Sequence, residues 1–587
     1  MNSSSSTRPG SFWAKFESWL HRHTGGWCFG WVYLLAIVAY LPTAASTVQE
    51  ADAGQFLSLG ATCLNSGWPI AHPPGYPVET AISCGAAWLS QLAPVVPASL
   101  WLAWASAICA ALAAGLAFSA MTRIGLASPA QSLLTVAVVF LARDSWRVAT
   151  TQEAHALGML TLTGALLLPV LARHQGNHKL TKIMWALAGA SFGLGFANHH
   201  TTAIALPGAL WCLWQADREA RHEEGSGKPI RRGLRANAVF FTAGSLAGAL
   251  PILVVVYRTL YPQDFMATTA AAPVPAFDWV SASSSPLRYL LRADFGTFSL
   301  APGKAADARI ALGGLRAFAR DLPANTGWFW IVATLHGAFM IRRRKSCAVP
   351  FAAAAVTAVV FLGLMRVDPD SETIDVVRRF HPFILITMMP FMAAGIADLA
   401  QRVRHRVLTG IMTALVAAQV FMTLPVARRD HHTFPEEHFK SALEMLPPGS
   451  LVVAASDQEI FGLSYAQVTL GIRPDVRVLN LLEWGAREKR ARVLARVGID
   501  PASMINLNRG ELIGMIATRE PAWIIDAPMP PRPAYLAKSP CVGPFLVLDL
   551  RAKPEIRENR PVRPRTTSRP WFMTDQSLLE KYEACVN

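Results

Sequence analysis

The sequence predicts a polytopic α-helical membrane protein, a bundle of about eleven transmembrane helices followed by a small α/β domain. Three observations carry this expectation. Of 587 residues, 52% are hydrophobic and only 16% are charged, and the mean hydropathy is +0.30. Apolar windows of about 20 residues, the length that crosses the hydrocarbon core, recur as far as position 425. Beyond 426 they give way to short aliphatic runs, some separated by segments of helical period.

The segment 1–26 is Ser-rich and basic. The apolar run after it is too long for a signal-peptide core and shows no small-residue cleavage site, so 1–26 reads as a cytoplasmic leader into an uncleaved helix. The transmembrane domain is 27–425, with spans expected near 27–46, 99–121, 128–142, 154–172, 182–197, 200–216, 236–259, 323–341, 348–365, 380–400 and 407–425. The stretch 78–96 is weakly apolar and interrupted by Ser, Cys and Gly, which suits a helix lying along the membrane surface. Charge supports leaving it out of the count. Arg123; Arg173, Lys179 and Lys182; the basic run 218–235; 342–345; and Arg402, Arg404 and Arg406 then share a side with Arg8, Lys15 and Arg22, as the positive-inside rule requires. A twelfth span would put every later cluster outside.

An odd number of spans places the α/β domain, 426–552, outside the cytoplasm. Strands are expected at 451–455, 476–480, 523–526 and 545–550 in a mainly parallel sheet, with helical periodicity at 488–497, and 553–587 is a Pro/Arg-rich tail. The net charge of +15 sits largely in short loops and this tail. It is therefore read as a topology signal, and nucleic acid is not an expected partner. Cys63 and Cys84 share the first outer loop, and Cys541 and Cys585 share the outer domain. Each pair is able to bridge in an oxidising compartment, although free buried cysteine is the commoner state. No spacing of zinc-site type occurs.

This topology gathers the unusual polar residues on one face. The first outer loop, 47–98, holds Glu50, Asp52 and His72. Asp144, Arg147 and Glu153 border the second, and Asn198, His199 and His200 form the third. Arg288, Arg292 and Asp294 lie in the long fourth loop, 260–322; Asp368, Asp370, Glu372, Asp375, Arg378 and Arg379 make the fifth. Ionisable groups at membrane depth are costly, so five such loops on one face describe a site. A half-shielded carboxylate such as Asp52 suits a general base; a solvated or helix-capping acid is the plainer alternative. In Ala71-His72-Pro73-Pro74-Gly75-Tyr76-Pro77 the prolines fix φ and Gly75 permits a strained angle, so His72 and Tyr76 are presented in fixed directions.

The pattern Asp52-Ala-Gly54-Gln55-Phe56 followed by Ala71-His72-Pro-Pro-Gly-Tyr-Pro77 resembles the protein O-mannosyltransferase-like family of transmembrane protein 260 type, in the GT-C class of membrane glycosyltransferases. Gln152-Glu153-Ala-His155-Ala-Leu157 resembles the family's Glu-Val-Tyr-x-Leu stretch, with His155 in the Tyr place. Asn198-His199-His200-Thr201 is similar to its Asn-His-His-Thr motif, and 286–297 to its long-loop segment; 448–457 and 471–478 resemble the part after the membrane domain. The family usually has Glu where this chain has Gln55, so a second carboxylate of the motif is absent.

The resemblance implies a GT-C-like bundle that moves a sugar from a polyprenyl-phosphate-linked donor to an acceptor hydroxyl on the extracytoplasmic face, with inversion. Asp52 is assigned as general base, with Glu50 as its understudy. Arg292, Arg378 or Arg379 would hold the leaving phosphate, since a guanidinium grips phosphate oxygens bidentately. His72, Tyr76, Glu153, Asn198, His199, His200 and Asp294 are assigned to substrate binding. The implied partners are the lipid bilayer, the lipid-linked donor and a protein or glycan acceptor, and the implied location is the bacterial inner membrane. Mannose and a Ser/Thr acceptor come with the family name alone. No essential metal or cofactor is expected: the acids 368–372 lack the glycine and terminal glutamate of a calcium loop. The competing readings are a transporter or flippase of lipid-linked sugars and an envelope polysaccharide assembly protein.

Overall fold

The computed structural model describes residues 26–548 apart from several stretches, chiefly 50–51, 225–231, 262–284, 292–309, 368–373, 482–489, 495–499, 501–506 and 526–540. Glu50, Arg292, Asp294, Asp368, Asp370, Glu372, Arg404 and Cys585, the side chain of Cys541, and most of 488–497 therefore lie outside the described residues.

Every one of the apolar segments expected to span falls on helix. The helices are α1 (Gly26–Tyr40), α2 (Ala53–Ser66), α3 (Pro77–Leu92), α4 (Ala98–Ile124), α5 (Pro129–Phe140), α6 (Arg143–Thr150), α7 (His155–Arg173), α8 (His178–Asn198), α9 (Leu206–Glu224), α10 (Arg232–Ala249) and α11 (Ile252–Leu260). They continue as α12 (Pro286–Leu290), α13 (Gly313–Thr326), α14 (Trp328–Ile341), α15 (Lys345–Leu364), α16 (Ile374–Arg378), α17 (His381–Arg402), α18 (His405–Ala427), α19 (Phe434–Glu444), α20 (Asp457–Ser464) and α21 (Arg509–Arg519). Among the described residues, five helices are long and apolar enough to cross a membrane, and α10 with α11, bent by 46°, makes a sixth. The apolar parts of α1, α5, α14 and α15 are shorter.

Small residues set the packing. The α8–α10 pair is a reciprocal small-residue contact. A Cβ on Gly189 or Gly193 would lie 2.0 Å from the carbonyl oxygens of Phe241 and Ser245, and Gly244 and Gly248 stand equally close to α8. Backbones that approach so closely gain dispersion contacts that lipid cannot match. α5 starts at a capping box: Gln131 N donates to Ser128 Oγ, Ser128 N donates to Gln131 Oε1, and Pro129 begins the helix.

Two expectations need correction. The segment 47–98 is mostly helical, because α2 precedes α3. α2 forms because Phe56, Leu57 and Leu59 have core to bury against, and a disulfide from Cys63 to Cys84 staples it to α3. The sheet is mixed rather than mainly parallel. β1 (Leu451–Ala454), β2 (Arg477–Asn480), β3 (Ala522–Ile525), β4 (Cys541–Val542) and β5 (Phe545–Leu548) run in the order β2-β1-β3-β5-β4. β1 is parallel to β2 and β3, but β5 returns antiparallel on β3, and β4 pairs antiparallel with β5.

The chain leaving α18 is tied back to the end of α1. Arg429 N donates to Thr43 O, Ser46 Oγ to Asp430 O, and the His432 carbonyl accepts from Thr47 Oγ1 and Gln49 Nε2. This polar seam fixes where the sheet-bearing part meets the helices.

Candidate active site at the converging loops

Asp52 lies one residue before α2, so it stands at the mouth of a helix whose first turn is buried. Gly54, the third residue of the Asp-x-Gly motif, has a packing role. A Cβ there would lie 2.6 Å from the carbonyl oxygen of Phe461 in α20. Only a bare α-carbon lets the sheet-bearing part seat against α2.

The His-Pro-Pro-Gly-Tyr-Pro turn stands beside it. Gly75 N donates to His72 O at 2.8 Å, the Pro73–Pro74 bond is cis, Gly75 has φ of 108°, and Tyr76 takes a left-handed conformation (φ 43°) as the cap of α3. Gly75 also faces Val255 of α11, so a side chain would be both strained and obstructed. The Tyr289 hydroxyl of α12 donates to Ala71 O, which brings in the fourth loop. The His72 ring lies between Tyr76 and Phe461, with its Nδ1 bonded to Gln55 Oε1 at 2.5 Å. An amide oxygen only accepts, so Nδ1–H is the donor in this bond. The position that departs from the family pattern thus orients the ring of the motif histidine.

Behind this turn lies a buried charge network. Arg379, 4% exposed, reaches two acids from distant parts of the chain. Its Nη1 donates to Asp52 Oδ2 at 3.0 Å, and its Nε lies 3.3 Å from Glu153 Oε1. The other Glu153 oxygen is 3.2 Å from His155 Nδ1. Burial pushes the Glu153 carboxyl up, but Arg379, His155 and Arg147 outweigh it and hold it down at about 2. Asp52 is more open, its side chain 17% exposed. The His199 ring packs on Tyr76, His155 and Phe380, and its Nδ1 accepts from Thr201 N.

Other predicted residues are placed differently. Asn198 Oδ1 accepts from Glu79 N at 3.0 Å and its Nδ2 donates to Ala154 O at 3.4 Å, so it ties the starts of α3 and α7 together. The His200 ring lies on Phe196. Arg378, the neighbour of Arg379, turns to another cluster, where its Nε donates to Asp321 Oδ2 at 2.7 Å.

In that second cluster Asp144 bonds His381 Nδ1 at 2.7 Å and Asn325 Nδ2 at 2.8 Å, and Arg143 contacts both aspartates. Burial raises the Asp144 carboxyl, but His381, Arg143 and Asn325 together bring it well below the ordinary carboxylate range. Asp144, Asp321 and His381 each offer a donor atom within 4.8 Å of the others. Arg143 and Arg378 already balance the two carboxylates, so the arrangement reads as a latch joining α6, α13, α16 and α17.

Sequence reasoning passed over Glu79. An acid in the first turn of a helix reads as an ordinary partner for the helix dipole. Here it is 2% exposed, and burial, with the Glu153 charge nearby, pushes it up to about 8. Asp321, Asn325 and His381 were passed over too; only their pairing with Asp144 and Arg378 makes them notable.

The fold and site define a class: a polytopic helical membrane protein in which, among the described residues, four interhelical segments bring together a carboxylate–arginine–histidine cluster, with Tyr289 of a fifth and Phe461 of the sheet-bearing C-terminal part beside it. Several motifs of that cluster lie in a stretch that resembles a known family. Residues 52–222 match the family model "Protein O-mannosyl-transferase TMEM260 N-terminal domain". The chain is 23% identical over 484 residues to the mouse protein O-mannosyl-transferase TMEM260, covering 77% of this chain and 65% of that protein. The chain thus spans somewhat less than two thirds of this relative's length. Among solved structures it is similar to ArnT from Cupriavidus metallidurans in the apo state (13% identity, TM-score 0.47, 91% of this chain and 98% of that chain). It is also similar to ArnT bound to undecaprenyl phosphate (12% identity, TM-score 0.48, 87% and 93%).

Proposed function

We propose that the protein is a membrane glycosyltransferase that moves a sugar from a polyprenyl-phosphate donor to an acceptor hydroxyl, with Asp52 as general base. The observation that carries this reading is the position of Asp52. It is the most open acid of an otherwise buried network and starts the stretch that matches the O-mannosyl-transferase family. In the reaction Asp52 takes the acceptor's O–H proton as that oxygen bonds to the anomeric carbon. The bond from that carbon to the phosphate oxygen breaks on the opposite side, its electron pair leaves with the phosphate, and the anomeric centre inverts. Arg379, and Arg292 of the fourth loop, are the arginines assigned to the growing phosphate charge. His72, Tyr76, His199 and the neighbouring rings offer an aromatic wall for the sugar.

The site opens on the extracytoplasmic side in this reading. Both the eleven-span charge pattern and the Cys63–Cys84 bridge, which suits an oxidising compartment, support that face. Mannose as the sugar, and a protein hydroxyl as the acceptor, follow the name of the mouse relative. The location is then the inner membrane, with 426–552 beyond it. The test is transfer of label from a polyprenyl-phosphate-mannose by protein in detergent. Asp52→Asn abolishes transfer while the protein remains monodisperse; transfer that survives the change refutes the base assignment.

A further inference from the structure

Arg379 touches both the candidate base and a second acid, and this geometry has a consequence for the order of events. A guanidinium has a limited fork of N–H donors, and here Nη1 is bonded to Asp52 while Nε faces Glu153. The carboxylate oxygen bonded to Nη1, Oδ2, is occupied and does not meet an acceptor hydroxyl while that bond lasts. A phosphate oxygen is a strong competitor for the same fork.

We infer that Arg379 is a shared cation that links donor binding to release of the base. A donor phosphate takes Nη1 from Asp52, and the charge of Glu153, 3.3 Å from Nε, keeps the guanidinium seated. Glu153 and His155 are then positioning residues, acting through Arg379. The inference rests on the glycosyltransferase reading and adds to it an order, donor before acceptor. The burial of the parts supports the division of labour. Glu153, Arg379 and His155 are each 5% exposed or less, whereas Asp52 is the member facing outward. The fixed end of the arginine is therefore the Glu153 end, and the exchangeable end is at Asp52. The proton transfer itself is unchanged: Asp52 gains it from the acceptor hydroxyl once Arg379 has moved to the phosphate.

The experiment measures binding of a C55 polyprenyl phosphate to the full chain in lipid nanodiscs, with no transfer required. Removing the Asp52 charge removes the competitor, so Asp52→Asn binds the phosphate about tenfold more tightly than the native protein, roughly the effect of one interfacial ion pair. Glu153→Gln binds it more weakly, because the arginine loses its seat, and His155→Gln does so to a smaller degree. If Asp52→Asn binds no better than the native chain, Arg379 is not shared and the inference fails while the functional reading stands. If the native chain binds no polyprenyl phosphate at all, both fail. Glu153→Gln binding as tightly as the native chain would also sink the positioning role.

Discussion

Glu79→Gln is expected to make the protein more stable, and more so as the pH rises. Glu79 is 2% exposed in the first turn of α3, and burial, followed by the Glu153 charge, pushes its carboxyl from 4.5 to about 8. Its folded value lies above its unfolded one, so its contribution to stability is whole below pH 4.5. It drains away as pH climbs from there to about 8. At pH 7 the unfolded chain gains by ionising at this position and the folded chain does not, a difference of about 3 kcal/mol. Glutamine has the shape of the protonated acid and no proton to lose. The variant should therefore melt with the native protein at pH 4 and progressively above it from pH 5 to 8, by several degrees at the upper end. Tryptophan fluorescence melts of both proteins across that range, in one detergent, give the comparison. Parallel curves would mean that Glu79 is charged in the folded protein. A variant less stable at every pH would mean that its hydroxyl makes a bond that the amide cannot replace. Either result refutes the reasoning.

Other changes probe the frame around the site. Gly54→Ala puts a methyl 2.6 Å from the Phe461 carbonyl, a clash costing about 2 kcal/mol. Limited proteolysis should release the segment after α18 faster than in the native chain. Reducing the Cys63–Cys84 bridge, or replacing Cys63 by Ser, opens a closed loop of 21 residues, worth about 3 kcal/mol in the chain-entropy account; the melting temperature falls, and mobility on non-reducing gels changes. Asp144→Ala leaves His381 and Asn325 without their shared acceptor in a buried cluster, which should cost about 3 kcal/mol or more, read as a loss of folded protein in size-exclusion chromatography.

Much of this architecture is legible in the chain because hydrophobic run length and loop charge are local properties. All the apolar segments expected to span are helical, and the loops holding Asp52, Glu153, His199 and Arg379 do meet. The helix α2 was not legible. Its residues 53–66 are too few to span, and their reason for folding lies in α3 and α20, the latter some 400 residues away. β5 was expected as a strand but not as an antiparallel one, since its direction depends on a connection that period-2 patterning does not encode.

By itself, then, the sequence determined the membrane class, the side-by-side loops, the placing of Asp52 among them and the rigid turn at His72. These follow from transfer energies and backbone restrictions that act residue by residue. The tertiary structure alone decided which partners meet. Arg378 and Arg379 are adjacent in sequence and chemically identical, yet one serves Asp321 and the other serves Asp52 and Glu153. Successive side chains near a helix end point in different directions, and what lies in each direction is set by the packing of other helices. The same holds for Glu79. It is an unremarkable helix-start acid in the sequence, and the burial around it is what pushes its carboxyl up.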